Sequence, residues 1–282
     1  MATITAAQVQ ALRKKTDLPM MECKQALTEC GGDERAAIDW LKKKHKGKME
    51  ERANRETGEG RIFIHIGDAA KTGAIIDLRC ETAPVAKNRE FTALAEKIAR
   101  QVAAQDEPDP SPETILASES VAEPGHTVED LLTAVYGRIR ETMKLTACRK
   151  ITGEYVCGYV HHDGKKGVLI ALDAAPSSEA VGVDLCHHVT FSQPLAVTRD
   201  QIPTDKVDEV RALAREMAES QGKPPHIIDK IVQGKVNAFC GDNALMDQEH
   251  VKPEYEKKKV GAVLKAAGVN AVTELAYLSI GA

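Results

Sequence analysis

The sequence predicts an α+β protein with a small three-helix head, a duplicated α+β core and an inserted antiparallel helical hairpin. Three observations lead to this prediction. Apolar residues recur with a helical period over about the first 48 residues, the period changes to two from about residue 62, and a strand–strand–helix pattern then occurs twice. The chain has 282 residues, of which 43% are hydrophobic, so it is long enough for roughly two domains with a sizeable core.

Residues 1–55 are predicted to form the head and a linker. Thr5 and Gln8 have the spacing of a capping box, which favours a helix start at this point. A second helix follows and ends at a Gly-Gly pair, and Asp33 then caps a third helix. The lysine-rich residues 42–48 are interpreted as a solvated helix end that runs into a linker reaching about Gly60. Three helices of this length make a bundle that is marginally stable alone.

Residues 56–145 are predicted to form the first core subdomain. Apolar residues alternate over residues 62–66 and again over residues 74–80, which indicates a β-hairpin. Apolar residues within 91–102 are spaced i, i+3, i+4 and i+7, as on one face of an amphipathic helix. A second helix is expected over residues 128–143.

The second core subdomain is predicted to comprise residues 146–203 and 242–282. Gly73 matches Gly167 and Leu78 matches Leu172, an offset of 94 residues in both cases, and each pair brackets a glycine-led apolar run. This constant offset indicates an internal duplication, although a chance match of two short strands would look the same. A helix near 260–267 and a strand near 274–280 are expected to complete the second sheet.

Residues 204–241 are predicted to be an inserted helical hairpin. Two amphipathic stretches flank residues 221–225, Gln-Gly-Lys-Pro-Pro, which is a sharp break between helices. Each arm is about three turns long, too short for a free-standing coiled coil, so we expect the hairpin to protrude or to pack on another element.

Charge is unevenly distributed along the chain. The net charge is −4, but residues 1–55 carry 12 Lys or Arg against 8 Asp or Glu. Residues 106–130 hold eight acidic residues, four prolines and no Lys or Arg, which predicts a solvated loop with one short helical turn. The basic residues 42–48 could bind nucleic acid or an acidic protein surface, or could simply be a solvated helix end. The overall charge argues against a protein that binds nucleic acid with its whole surface, so no direct nucleic-acid partner is expected.

Several classes of protein find no support in the sequence. No apolar run approaches the length of a membrane span, and the N-terminus lacks the features of a signal peptide. The seven cysteines include no Cys-x-x-Cys pair and are interpreted as reduced thiols in a cytoplasmic protein. The loops that bind nucleotides and the serine elbow of hydrolases are missing. Adjacent histidines at 161–162 and 187–188 cannot turn to one side together, so no metal site, no cofactor and no enzymatic chemistry are expected.

Six segments resemble the translation elongation factor Ts family. The most specific is residues 12–27, Leu-Arg-Lys-Lys-Thr-x-x-x-Met-Met-Glu-Cys-Lys-Gln-Ala-Leu, which is similar to the family's head signature. The others are residues 31–41, residues 80–88, the pair formed by Gly158-Tyr159-x-His161 and His188-Val189, and residues 221–224. The resemblance covers nearly the whole chain. A departure stands at residues 82–87, which read Thr-Ala-Pro-Val-Ala-Lys where the family normally reads Thr-Asp-Phe-Val-Ala-Lys. The family also often carries a further helix after its last core strand.

The resemblance implies a guanine-nucleotide exchange factor for elongation factor Tu, located in the cytoplasm and acting without covalent chemistry. It would bind the GDP form, displace Mg²⁺ and loosen the phosphate loop. The implied partner contacts in the head are Arg13, Met20 and Met21. Thr82, Ala83, Pro84 and Val85 match the segment that displaces Mg²⁺. His161 and His188 match positions of the second subdomain that face the partner, while Lys87 and Asn88 are expected to cap or shape the next helix.

Three other interpretations remain open at this stage. A divergent member of the family could bind elongation factor Tu but exchange weakly, since Ala83 and Pro84 replace the usual Asp-Phe. The head also resembles ubiquitin-associated domains, which would suit an adaptor that binds helices or peptides. Nucleic-acid binding through residues 42–48 would be recognised by an affinity that collapses with salt.

Overall fold

We describe the fold from a computed structural model, which describes residues 4–107 and 109–281. The predictions that concern residues 1–3, Pro108 and Ala282 lie outside the described residues. The protein combines helices with antiparallel sheets, which confirms the predicted α+β class. Among the described residues, no helix is both long enough and apolar enough to cross a membrane.

The head consists of α1 (Ala6–Thr16), α2 (Met20–Glu29) and α3 (Glu34–Glu51). The capping box at Thr5 is present, and the Asp33 side chain accepts a hydrogen bond from the Ala36 amide at 3.0 Å. Leu12, Cys23, Ala26, Leu27 and Leu41 are among the residues that form the small core of the head.

Residues 42–48 are helical, as expected for a helix end, but one face of this end is packed and not solvated. These residues continue α3 to Glu51, and the lysine side chains lie around a helix whose inner face is apolar. His45 is buried and Met49 packs on the core of the first subdomain. Lysine is a good helix former, and the packing of this face against the core extends the helix beyond the head.

The first sheet contains β1 (Glu59–Ile66), β2 (Thr72–Cys80) and β3 (Lys144–Thr152), antiparallel and in that order. Four helices cover its outer face: α4 (Ala83–Ala86), α5 (Arg89–Ala104), α6 (Pro112–Ala117) and α7 (Val128–Ile139). The hairpin and α5 confirm the predicted elements, and α6 is the short helical turn expected in the acidic loop. Two details differ. The helix expected to reach residue 143 ends at Ile139, and β3, which the sequence did not predict, crosses the predicted boundary between residues 145 and 146.

The second sheet contains β4 (Tyr155–Val160), β5 (Lys166–Leu172) and β6 (Val272–Ser279). It is also antiparallel in that order, so β5 has the central place that β2 has in the first sheet. Helices α8 (Glu179–Ser192) and α11 (Val260–Ala266) pack on its outer face. The final strand pairs with β5, as the sequence predicted.

The inner faces of the two sheets pack on each other. Ile62, Ile75, Val156 and Leu169 are among the residues buried between them. The repeat-related glycines lie at this contact: a Cβ on Gly73 would come within 2.9 Å of Val156, and a Cβ on Gly167 within 2.4 Å of Ile62. Each sheet thus presents its glycine to the other, which supports a structural duplication at the offset of 94 residues.

The inserted hairpin consists of α9 (Thr204–Ser220) and α10 (Pro225–Asn243). The two helices pack on each other through Ala214, Ala218, Ile228 and Val232. Leu213 and Met217 on α9 remain more than half exposed. The expectation of arms about three turns long is wrong, because the two helices have 17 and 19 residues, and a narrow apolar seam runs between them.

Candidate partner-binding surfaces

The head presents two adjacent methionines to solvent. Met20 and Met21 open α2 immediately after Pro19, and their exposed fractions are 52% and 74%. Cys23, one turn further along, is fully buried in the core of the head. Of two adjacent residues on a helix, at most one can face fully inward, and here the structure buries neither, so both methionines are accessible to a partner. Arg13, on α1, is also exposed.

Glu22 follows the methionines and points the other way, into the contact between head and core. Its Oε2 accepts hydrogen bonds from Arg140 Nη2 at 2.6 Å and from His45 Nε2 at 3.2 Å. Burial alone would raise the pKa of Glu22, but the hydrogen bonds from Arg140 and His45 outweigh it and lower the pKa below its usual range. Burial lowers the pKa of His45, with the Glu22 hydrogen bond opposing it in part, so the imidazole is neutral at neutral pH.

The segment expected to be a loop, residues 82–85, begins the short helix α4. Ala83 and Pro84 are exposed, Val85 is half-buried and Ala86 is buried against the core. A proline biases the preceding residue towards an extended conformation, but Ala83 is helical here. Proline fits the first turn of a helix because its missing N–H is not needed there, and this outweighs the bias.

Thr82 fixes the start of α4. Its amide donates to Glu141 Oε2 at 3.0 Å, and its hydroxyl donates to Glu141 Oε1 at 2.6 Å. The next helix, α5, begins at Asn88, whose side chain accepts from the Glu90 amide at 2.7 Å. The predicted capping role of Asn88 is confirmed. The exposed turn of Ala83 and Pro84 is thereby held between two anchored ends.

A third surface surrounds Phe191 on α8. The side chain of Phe191 is 79% exposed and lies beside a cleft of about 470 Å³ that is also lined by Tyr159, His161 and His187. The Tyr159 hydroxyl is 3.2 Å from His161 Nδ1, and the Tyr159 and His187 rings meet edge to face at 4.3 Å. The sequence did not predict Phe191 or Tyr159 as functional residues, because a phenylalanine in an apolar helix normally belongs to a core.

His188, which was expected to face a partner, is enclosed by the protein in this conformation. His188 is fully buried, with Nε2 2.9 Å from Gln248 Oε1 and with Nδ1 accepting from the Val251 amide at 3.2 Å. Burial lowers the pKa of His188, and the bond to Gln248 offsets this only in part. The neutral ring satisfies both nitrogens and holds the loop that follows Gln248. His161 remains accessible beside Phe191.

Metal-ligating and nucleophilic side chains are the other groups from which a site could be built. Within residues 4–107 and 109–281, no group of three or more His, Cys, Asp or Glu side chains is arranged to hold a metal ion. All seven cysteines are free thiols and six of them are buried. Burial raises the pKa of Cys80 to about 12 and that of Cys148 to about 11, so these thiols stay protonated and poorly nucleophilic.

The chain is similar to known proteins over nearly its whole length. The profile of the family described as Elongation factor TS matches residues 81–282. The elongation factor Ts of Aquifex aeolicus is 38% identical over 274 residues, which cover 95% of this chain and 94% of that protein. The elongation factor Ts of Chlorobium phaeobacteroides is 35% identical, with 91% and 90% covered, and that of Aromatoleum aromaticum is 36% identical, with 99% and 91% covered. The chain therefore belongs to the elongation factor Ts family.

Proposed function

We propose that this protein is a guanine-nucleotide exchange factor that binds the GDP form of elongation factor Tu and promotes the release of GDP. Membership of the elongation factor Ts family over nearly the whole chain is the observation that carries this proposal. The exchange requires no covalent step by the factor. In this proposal, the factor displaces the Mg²⁺ that the partner holds beside the nucleotide and loosens the phosphate loop.

The physical basis of exchange is thermodynamic linkage. A factor that binds the nucleotide-free partner more tightly than the GDP-bound partner must weaken GDP binding by the same ratio. Mg²⁺ neutralises adjacent phosphate oxygens, so a contact that disturbs its ligands removes part of the nucleotide's binding energy. Exchange therefore needs only surfaces that dock on the partner and one element that disturbs its Mg²⁺ site.

The head suits the docking role. Met20 and Met21 offer flexible, polarisable contacts that adapt to an apolar groove, and Arg13 adds a side chain that often anchors interfaces. Both methionines stand on a helix whose opposite side is fixed by Glu22. The third surface, around His161 and Phe191, is proposed as a second docking point.

Helix α4 suits the disturbing role. Its exposed residues are the small Ala83 and the stiff Pro84, and Thr82 and Ala86 anchor the turn at either side. Such a turn can press on a partner through its backbone, but it lacks a large side chain to act as a wedge. This observation favours a second candidate, a family member that binds well and exchanges GDP slowly.

The test is GDP release from the cognate elongation factor Tu. The partner is loaded with fluorescent GDP, unlabelled GDP is added in excess, and the release rate is followed against the concentration of the chain at several Mg²⁺ concentrations. We expect the rate to rise to a plateau and the effect to weaken as Mg²⁺ increases. A release rate that does not depend on the chain at any concentration would refute the proposal.

Two charge substitutions locate the docking surface. Met20→Asp and Met21→Asp should each raise the half-saturating concentration by about 10-fold, since a hot-spot contact is typically worth ~1–3 kcal/mol. The melting temperature should hardly change, because both side chains are exposed. Leu213→Asp is the matched control, since Leu213 is an equally exposed apolar residue (59%) on the hairpin. An equal effect of all three changes would show that the head is not the docking surface.

A further inference from the structure

The bend between α7 and β3 touches two of the proposed partner-binding elements at once. We call residues 140–142 the junction segment. Arg140 donates from Nη2 to Glu22 Oε2 at 2.6 Å, next in sequence to the exposed methionines of the head. Glu141 accepts from the amide and the hydroxyl of Thr82 at 3.0 and 2.6 Å, at the start of α4. Two consecutive residues thus hold the head and α4.

The junction segment is itself held by a hydrogen bond to Glu81. Thr142 is buried, and its amide donates to Glu81 Oε1 at 2.8 Å. Glu81 also accepts from Arg55 Nη1 at 3.0 Å, in the chain that leads out of the head. Glu81, the residue before Thr82, therefore links the junction segment to the connection between head and core. The segment cannot move without breaking bonds in each of these elements.

Arg140 has an unusual backbone conformation. Its φ is 67°, in the left-handed region that a residue with a Cβ enters at a cost in free energy. This conformation ends α7 and turns the arginine side chain towards the head. The side chain is 32% exposed and that of Glu22 18%, so the ion pair is partly shielded from water and from salt.

A fixed head binds a partner at a lower entropic cost than a tethered one. If the head moved freely on the chain between α3 and β1, its contact and the α4 contact would form in two steps, and the second would depend on the effective concentration that the tether allows. A head held at one orientation brings both contacts to the partner together.

We propose that the junction segment is a positioning element that fixes the methionines of the head relative to α4, so that both reach one partner in a single binding event. Arg140 and Glu141 are positioning residues and touch neither nucleotide nor Mg²⁺. The effect on GDP release rests on the proposed function, whereas the fixed orientation of the head can be measured on the free protein.

The test uses the full chain with Arg140→Gly. Glycine enters the left-handed region freely, so this change removes the ion pair with Glu22 and relieves the backbone, and the variant should fold at least as well as the parent protein. Arg140→Lys keeps a cation near Glu22 and should restore part of the effect. Lys46→Ala is the matched control, because Lys46 pairs with Glu129 at 2.7 Å across the same contact but both side chains are more than a third exposed, so this pair contributes little.

Two quantities are measured for each variant. Nitrogen-15 relaxation of the free protein gives the tumbling of head amides relative to core amides. The GDP-release assay gives the half-saturating concentration and the plateau rate. For Arg140→Gly we expect faster tumbling of the head and a half-saturating concentration raised by roughly three- to tenfold, with the plateau rate unchanged. Lys46→Ala should change neither quantity.

The outcomes separate this inference from the proposed function. If the parent protein does not accelerate GDP release, the proposed function fails, and the relaxation data alone decide whether the segment fixes the head. If Arg140→Gly leaves head tumbling unchanged, the positioning role is overturned. If the head is released but the half-saturating concentration stays the same, the contribution of positioning to binding is overturned.

Discussion

Replacing Gly137 by alanine should weaken the docking of the head on the core while it strengthens α7 itself. Gly137 lies on the face of α7 that meets the head. A Cβ at this position would come within 2.5 Å of His45 Nδ1 and within 3.2 Å of Leu18 Cδ2. His45 has little freedom to yield, because it is 3% exposed and its other nitrogen is 3.2 Å from Glu22 Oε2. The added methyl group therefore pushes the head and the core apart.

The magnitude follows from two opposing contributions to the free energy of unfolding. Alanine in place of glycine within a helix stabilises it by roughly 0.5–1 kcal/mol. Overpacking a well-filled contact destabilises it by typically ~1–3 kcal/mol. Because a distance of 2.5 Å is far below a normal contact, we expect the second contribution to exceed the first at Gly137, with a net loss of about 1 kcal/mol or more.

The measurement is urea unfolding with a matched control and a rescue. Gly47, in α3, is also a helical glycine, but a Cβ added there would have no neighbouring atom within 4 Å, so Gly47→Ala should raise the free energy of unfolding by about 0.5–1 kcal/mol. In a His45→Ala background the clash is gone, and Gly137→Ala should become stabilising. If Gly137→Ala in the parent protein stabilises as much as Gly47→Ala, the head does not dock on α7 as described.

Three further outcomes are expected. Ala83→Asp with Pro84→Phe should raise the plateau rate of GDP release with little change in the half-saturating concentration, and equal plateau rates would show that no side-chain wedge is needed. Phe191→Ala should raise the half-saturating concentration several-fold without lowering the melting temperature, because the ring is 79% exposed; a large fall in melting temperature would place it in the core instead. Burial, with the nearby His188 adding to it, holds the pKa of His250 at about 4, so the unfolded chain binds more protons and stability should fall as the pH drops from about 6.5 towards 4, by up to about 3 kcal/mol for this group. His250→Gln should remove that part of the slope seen in urea unfolding between these pH values, and an unchanged slope would contradict the assignment.

The regular elements could be predicted because each carries a periodic pattern of its own. The strands of the first hairpin alternate, and α5 has a clear apolar face. Strand β3 could not be found in this way. Its buried residues Leu145, Cys148 and Ile151 are spaced by three. The register against β2 shifts between Asp77 and Leu78, and this bulge brings both Leu145 and Cys148 to the face that meets the helices. Ile151, three residues after Cys148, faces the other sheet by ordinary alternation.

The lysine-rich end of α3 has an inner face that packs on the protein, and the many charges around it make this face hard to recognise in the sequence. Leu41, His45 and Met49 follow one another at intervals of four and face inward, while the lysines between them face outward. A run of like charges is usually solvated, so the sequence alone predicts a solvated helix end here and not one that packs on a core. What the sequence cannot supply is the surface that covers this stripe, which is α7, more than eighty residues away in the chain.

The resemblance predicted that two histidines of this chain contact the partner. Their different surroundings show why a role cannot be transferred from a matching sequence position alone. His161 and His188 are the same residue type in the same subdomain, but His161 is partly exposed beside a cleft whereas the His188 side chain is fully buried. The difference arises from Gln248 and Val251, which close over His188 from a segment some sixty residues further on. A role as a contact requires accessibility, and accessibility depends on such long-range packing. The same packing leaves Phe191, three residues after His188, in solvent. Phe191, which is exposed, is therefore a better candidate for a partner contact than the buried His188.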